Sequence, residues 1–433
     1  MNDVVQLING DRGKNYPAKD KLTTDSSSGL PFISALNLVN GRINQDGLLF
    51  LSEKQYELFG NGKFKKNDII FCLRGSLGKN AVSQLPKGAI ASSLVILRPY
   101  ATEPSLRYID LYINSPLLFA EVKNYDNGTA QPNLSARNLA AFRFPLPPLA
   151  EQHRIVAKID ALFSKLDKGV ETLHTIRQQL RTYRQAVLKW AFEGKNWETK
   201  PLRSIVETIF DGPFGSNLKT EDYTDSGIRV IRLENLKSMT FFDEKKSYIS
   251  FEKYQILVRN TVRYPDLIMG TFISGEIKVC LIPEGIEKAI NKADCVCIRT
   301  SSPTLSKFLM YYLSSKRIYD SFFAQIHGAT RPRVNTTQIK EMLIPVVNTN
   351  EKTAIVAAIE SRLSVCDKLE TIVDESLAKV EALRQSILKK AFAGQLVPQD
   401  TNDEPAEKLL ERIKAEQKSN TVKTRNRGSK KNV

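Results

Sequence analysis

The sequence predicts an α+β chain in which one unit, a strand-rich domain followed by a long helix, is written twice with pseudo-two-fold internal symmetry. Three observations predict this. Residues 151–195 and 351–395 align without a gap at a constant offset of 200, with 15 identities in 45 positions. Apolar residues in both stretches recur at alternating four- and three-residue steps, the period of a buried helical seam. The segments before them hold β-branched alternating runs punctuated by Gly, Pro, Asn and Asp, which is the pattern of strands and turns.

In chain order, residues 1–142 form the first strand-rich domain. "NDIIFCLRG" reads as strand, and "PSLRYIDLYINSPLLFAEV" as interspersed helix. The prolines of "PLPPLAEQHRIVAKID" (145–160) then stop one structure and start another, since proline fits a helix entry but not a helix interior. Residues 143–196 are the first helical region, with a seam of Ile155, Ile159, Leu162, Leu166, Leu173 and Leu180. Residues 197–342 repeat the strand-rich block through "RVIRLENL", "DLIMGTFIS" and the helical "PTLSKFLMYYLSSKRIYDSFF". Residues 343–416 repeat the helix, with Ile355, Ile359, Leu369, Val373, Val380 and Leu383 in its seam. Gly194 and Gly394 are the expected C-terminal caps. Residues 417–433 form a basic tail, expected to be disordered: "TVKTRNRGSKKNV" holds five positive charges and no negative ones.

A helix of about 40 residues is ~60 Å long and cannot bury its own stripe. The economical arrangement is that the two helices pair with each other as an antiparallel coiled coil. A homodimeric coiled coil is the alternative. The first block starts abruptly, with no counterpart of "WETKPLRSIV" (197–206), so the expectation is that an upstream strand is missing or that the start codon is internal.

The net charge of +16 points to a polyanionic partner. Each strand-rich block contributes +4 of it. No apolar run approaches the ~20 residues of a membrane span, and "MNDVVQLINGDRGK" lacks the layout of a secretion signal, so a cytoplasmic location is expected. Cys72, Cys280, Cys295, Cys297 and Cys366 are scattered, without CxxC spacing or a neighbouring His, and read as buried free thiols with no metal.

Catalytic motifs are scarce. "GSLGKN" (75–80) lacks the spacing of a P-loop. His153, His174 and His327 are dispersed. "PDLIMGTFISGEIK" (265–278) imitates a Mg²⁺-dependent nuclease, with Asp266 and Glu276 as ligands and Lys278 as the assisting base. The repeat argues against it, because "NDIIFCLRGSLGKN" keeps Asp68 but offers no second carboxylate.

"PLPPLAEQHRIVAKID" followed by a heptad helix closing in "RQAVLKWAFEG" resembles the conserved region of the specificity (S) subunits of type I restriction–modification enzymes. So do "DGPFGSNLKTEDY" (211–223), "GTAQPNLS" (128–135) and "AFAGQLVPQDTNDEPAEKLLERIKAE" (391–416). The second copy departs from the pattern, with "PVVNTNEK" in place of "PLPPLAEQ". The resemblance implies that each strand-rich block is a target-recognition domain reading half of a split DNA sequence. The helices would fix the gap and dock methylation subunits, and restriction subunits would join that complex. It further implies no catalytic residues and no cofactor on this chain, with S-adenosylmethionine, ATP and Mg²⁺ on partner subunits only. Half-site centres would lie roughly one helical turn, ~34 Å, apart.

Base contacts need Arg, Lys, Asn, Gln, Ser or Thr on loops facing the major groove. The candidates are Arg74, Ser76, Lys79, Gln131 and Asn133 in the first domain. In the second they are Ser216, Asn217, Lys219, Lys278, Arg331 and Arg333. A stand-alone sequence-specific DNA binder, the nuclease and a coiled-coil interaction protein are the competing classes.

Overall fold

The computed structural model describes residues 1–102, 104–124, 133–273, 275–324 and 332–429. The chain divides into two compact units, Met1–Glu171 with Leu377–Val433, and Thr172–Ser376. The division falls inside the long helices, so each unit takes part of both.

In the first unit an antiparallel sheet runs in the order Val5–Asn9, Leu94–Pro99, Ile69–Cys72, Asn80–Val82. A mixed sheet runs Leu49–Leu51, Leu30–Ile33, Lys87–Ile90, Lys63–Lys65, its two middle strands parallel. The period of two explains why the Ile69–Cys72 run is apolar throughout. Ile69 and Phe71 point to one core, with Tyr108, Ile109 and Tyr112 of the helix Leu106–Ile113. Ile70 and Cys72 point to the other, with Ile33, Phe64 and Ile90 of the mixed sheet. Each such side chain, fully buried, contributes about 1.5–3 kcal/mol. Ser105 caps the helix by accepting the Tyr108 N–H, and Pro116 opens the next, Pro116–Lys123.

The second unit repeats this plan. Its antiparallel sheet is Thr208–Phe210, Cys295–Arg299, Leu267–Gly270, Val279–Leu281. Its mixed sheet has five strands, with Ile228–Ile231 parallel to Ala289–Asn291. Leu267, Met269, Val296 and Ile298 face Phe308, Leu309 and Tyr312 of the helix Pro303–Leu313. Ile268, Cys280, Cys295 and Cys297 face Ile231 and Ala289. All five cysteines are free and buried.

The long helices are Leu149–Phe192 and Thr349–Phe392, 44 residues each. Gly194 and Gly394 follow them in the left-handed conformation, φ 71° in both, where a side chain would be strained. The first helix starts against the proline turn, Gln152 donating from Nε2 to the Pro147 carbonyl at 2.8 Å. The second has lost those prolines and starts on Asn348, whose Oδ1 accepts the Glu351 N–H at 2.9 Å.

Within the first unit, Ile155 and Ile159 are buried, and Leu162 and Leu166 partly buried, beside Ile387, Leu388, Ala391 and Phe392. Arg154 pairs with Asp403, and Asp167 with Arg384. Within the second unit Leu180 is buried, Leu173 half-buried, and Val187, Leu188 and Phe192 share a core with Val356, Ile359 and Leu363. There Arg177 pairs with Asp374, and Arg184 with Asp367 and Glu370. In the second unit the partner numbers fall as the first helix ascends, so the two segments run antiparallel there.

Two seam positions need correction. Leu369 and Leu383 are 41% and 49% exposed, while Ile355 and Val380 are half-buried and Val373 buried. The buried stripe of the second helix keeps Ile359 and Val373 of that seam and adds Leu363 and Cys366. The reason is the same at both departures. The residue one further on makes the inter-helix contact instead: Glu370 pairs with Arg184, and Arg384 pairs with Asp167 and lies over the Phe163 ring.

The segment without a counterpart upstream forms Thr199–Pro201, paired antiparallel with Leu343–Pro345 in the second unit. In the first unit the Met1 amino group donates to the Phe142 carbonyl at 2.6 Å, and Leu396 and Val397 pack on the core. The C-terminal helix, Ala406–Ser429, continues past residue 416, so the predicted tail is helical over most of its length. Lys and Arg are good helix formers, and no Gly or Pro interrupts the run before Gly428. No helix among the described residues is long and apolar enough to cross a membrane.

Candidate nucleic-acid interface

Of the predicted residues, Arg74, Ser76, Lys79 and Asn133 gather at one end of the first antiparallel sheet, and Lys278 and Arg333 at one end of the second. In the first unit Leu73 is fixed from two sides: its N–H donates to Ser93 O at 2.9 Å, and its carbonyl accepts from Leu134 N at 2.9 Å. Arg74 and Asn133 therefore face each other across an isolated antiparallel bridge, and Arg74 Nε donates to Asn133 Oδ1 at 3.1 Å. Both side chains are exposed, as is Ser76 in the turn that follows. Lys79 opens the return strand; its carbonyl accepts from Cys72 N at 2.8 Å and its side chain is exposed.

The second unit builds the same frame. Thr271 N donates to Asp294 O at 3.0 Å, and Val334 N to Thr271 O at 2.9 Å. The bridge now joins Phe272 to Arg333. The Arg333 guanidinium lies 5.4 Å from the Phe272 ring centre and pairs with Asp294. Lys278 stands where Lys79 stands, its carbonyl accepting from Gly270 N at 2.8 Å. Gly75 and Gly275, both left-handed and in open space, shape the two turns.

Ser216, Asn217 and Lys219 belong to a different segment, a short turn of 3-10 helix, Gly215–Asn217, and the loop after it. All three are exposed, and Lys219 pairs with Glu221 at 3.2 Å. Upstream, Gly212 lies against the Lys292–Ala293 backbone, two residues before Asp294. Gln131 and Arg331 lie outside the described residues, as does His327.

The nuclease-like pattern has a structural explanation. Asp266 is buried, and both its carboxylate oxygens are taken by Arg299, at 2.9 and 2.6 Å. Oδ2 also accepts the Arg263 N–H at 3.0 Å. Asp68 is held identically by Arg98, at 2.8 and 2.6 Å. Pairing with Asp266 raises the Arg299 pKa further. Glu276 is exposed at the hairpin tip. Among the described residues no group of three or more His, Cys, Asp or Glu is placed to hold a metal. Sequence reading missed the Arg partners, although the two aligned strands carry them at matching places, Arg98 in "LVILRP" and Arg299 in "CVCIR". It also missed Asp294, which no local pattern marks.

A duplicated sheet-and-helix domain on long helices, with a cationic hairpin end in each copy, is the architecture of a DNA-recognition subunit. Residues 1–180 and 194–379 match the type I restriction modification DNA specificity domain, and the chain belongs to that family, whose members target DNA and are not catalytic. It is similar to the EcoKI specificity subunit of Escherichia coli K12, 24% identical over 451 residues, covering 96% of this chain and 94% of that protein. It is also similar to the StySPI specificity subunit of Salmonella potsdam, 26% identical over 458 residues, with coverage of 96% and 94%. Among solved structures, a chain from work on complex assembly and conformational transition of the type I R-M system shares the fold. It superposes with a TM-score of 0.63 at 17% identity, covering 85% of this chain and 92% of that one.

Proposed function

We propose that this chain is the specificity subunit of a type I restriction–modification complex, each strand-rich domain reading one half of a bipartite double-stranded DNA target. The observation that supports this best is the repeated hairpin-and-bridge frame: the same backbone presents Arg74 and Asn133 in one unit and Phe272 and Arg333 in the other. Two similar but non-identical readers call for an asymmetric, interrupted site.

In this reading the long helices form one antiparallel coiled coil that sets the gap between half-sites. The falling order of partner numbers in the second unit, and the pairing of Asp167 with Arg384 in the first, support it. Methylation subunits dock on the helices. Tyr183, Trp190, Val365, Leu369 and Ile372 leave apolar surface open there, and such surface marks interaction sites. Restriction subunits join that assembly in the cytoplasm. S-adenosylmethionine, ATP and Mg²⁺ are held by the partners, and this chain takes part through binding alone.

The test is co-expression with a type I methylation subunit from the same genome, followed by methylome sequencing. One bipartite adenine-methylated motif is expected; its absence overturns the proposal. Tight sequence-specific binding by the purified chain alone would favour the stand-alone binder instead.

A further inference from the structure

Each reader holds one guanidinium under restraint at the homologous bridge, and the restraints differ. Arg74 spends Nε on Asn133. Its two terminal amino groups have no protein partner among the described residues. Arg333 is gripped from the side by Asp294 and from below by the Phe272 ring, yet its side chain remains 43% exposed. Asp294 sits at φ 71°, in the left-handed region that few side chains other than Asn and Asp enter. Its place in the first unit is taken by Ser93, which cannot form an ion pair. The anchor has moved from one strand of the bridge to the other, while the anchored group is guanidinium in both.

A planar fork held by one edge and open at the other suits bidentate donation to guanine O6 and N7. A restrained guanidinium also loses less conformational freedom on binding than a free one. Lys79 and Lys278, at the matching positions nearby, have no carboxylate partner among the described residues and carry a point charge suited to phosphate.

We infer that Arg74 and Arg333 each read a guanine, one in each half-site, with Asn133 positioning the first and Asp294 with Phe272 positioning the second. This rests on the DNA-specificity reading above. The methylated motif then contains a guanine in each half that depends on one arginine.

The test uses the chain in complex with its methylation subunit. Arg74→Ala relaxes one guanine of one half-site to any base and leaves the other half unchanged; Arg333→Ala does the converse. Lys79→Ala keeps the motif and weakens binding evenly across sequences. On synthetic duplexes, 7-deazaguanine at the assigned position weakens wild-type binding by roughly 5- to 150-fold and leaves the matching Arg→Ala variant unaffected. Asp294→Asn lowers the guanine preference without abolishing it, at unchanged Tm, whereas a merely structural role would move Tm and affinity together. Loss of a bipartite motif in the wild type overturns both readings. A wild-type motif with a guanine-free half, or guanines untouched by either substitution, overturns the arginine assignment alone.

Discussion

Replacing Asp266 by Ala removes the buried carboxylate that Arg299 grips through two hydrogen bonds. The carboxylate is 3% exposed and the guanidinium 23%, so the charge left behind is mostly, not wholly, out of water. Breaking a fully buried pair on one side costs about 3–5 kcal/mol, and the partial exposure of Arg299 brings that to about 2–4 kcal/mol. At about 2–4 °C per kcal/mol for a unit of this size, the melting transition of the second unit falls by about 4–16 °C. The assay is thermal unfolding with and without Mg²⁺. The double variant Asp266→Leu/Arg299→Met recovers most of the loss, because an apolar pair of similar volume replaces the ions without stranding either. Should Asp266→Ala unfold within about 2 °C of the wild type, or Mg²⁺ stabilise the wild type and not the variant, the carboxylate is a metal ligand and the structural account is wrong.

Other outcomes follow from the same geometry. Phe392→Ala lowers the stability of the first unit by about 3–5 kcal/mol, because the ring packs on Tyr108 and Tyr112 with centroids 5.4 and 5.6 Å away; hydrogen exchange of Ile69–Cys72 should report it. Burial pushes the Cys280 thiol up to about 12 and the Cys295 and Cys297 thiols up as well, so a thiol reagent at pH 8 should label none of them natively and all of them in urea. Asp11 accepts the Gly13 and Gly60 N–H groups at 2.7 and 2.9 Å, and the backbone bonds, Gly13's foremost, hold its carboxyl below the usual range. A depressed folded-state value stabilises above the unfolded pKa of about 4 and is lost as pH falls through the lower one, so Asp11→Asn should flatten the acid-side decline in stability.

The duplication and the long helices were legible because both are written in periodic apolar positions, and burial acts on those directly. Helix ends were legible at Gly194 and Gly394, where only the backbone conformation mattered. Ion pairing was not. Leu369 and Leu383 have seam spacing, yet they stay exposed while their neighbours Glu370 and Arg384 pair with Arg184 and Asp167, and no local pattern marks such partners. The C-terminal region was misjudged for the opposite reason, since positive charge alone does not break a helix in which no Gly or Pro intervenes before Gly428. At the candidate interface the residue types were readable, while the pairing of Arg74 with Asn133 and of Arg333 with Asp294 depends on contacts 59 and 39 residues distant in the chain.

The first unit is assembled from the two ends of the polypeptide, whereas the second is continuous. On the ribosome the amino-terminal sheets therefore emerge first but lack the Phe392 and Leu396 side chains that pack on them until the whole second unit has been made. Synthesis order and completion order are reversed, so a nonsense mutation between Ser376 and Phe392 would release a molecule whose later-made half is sound and whose earlier-made half is open.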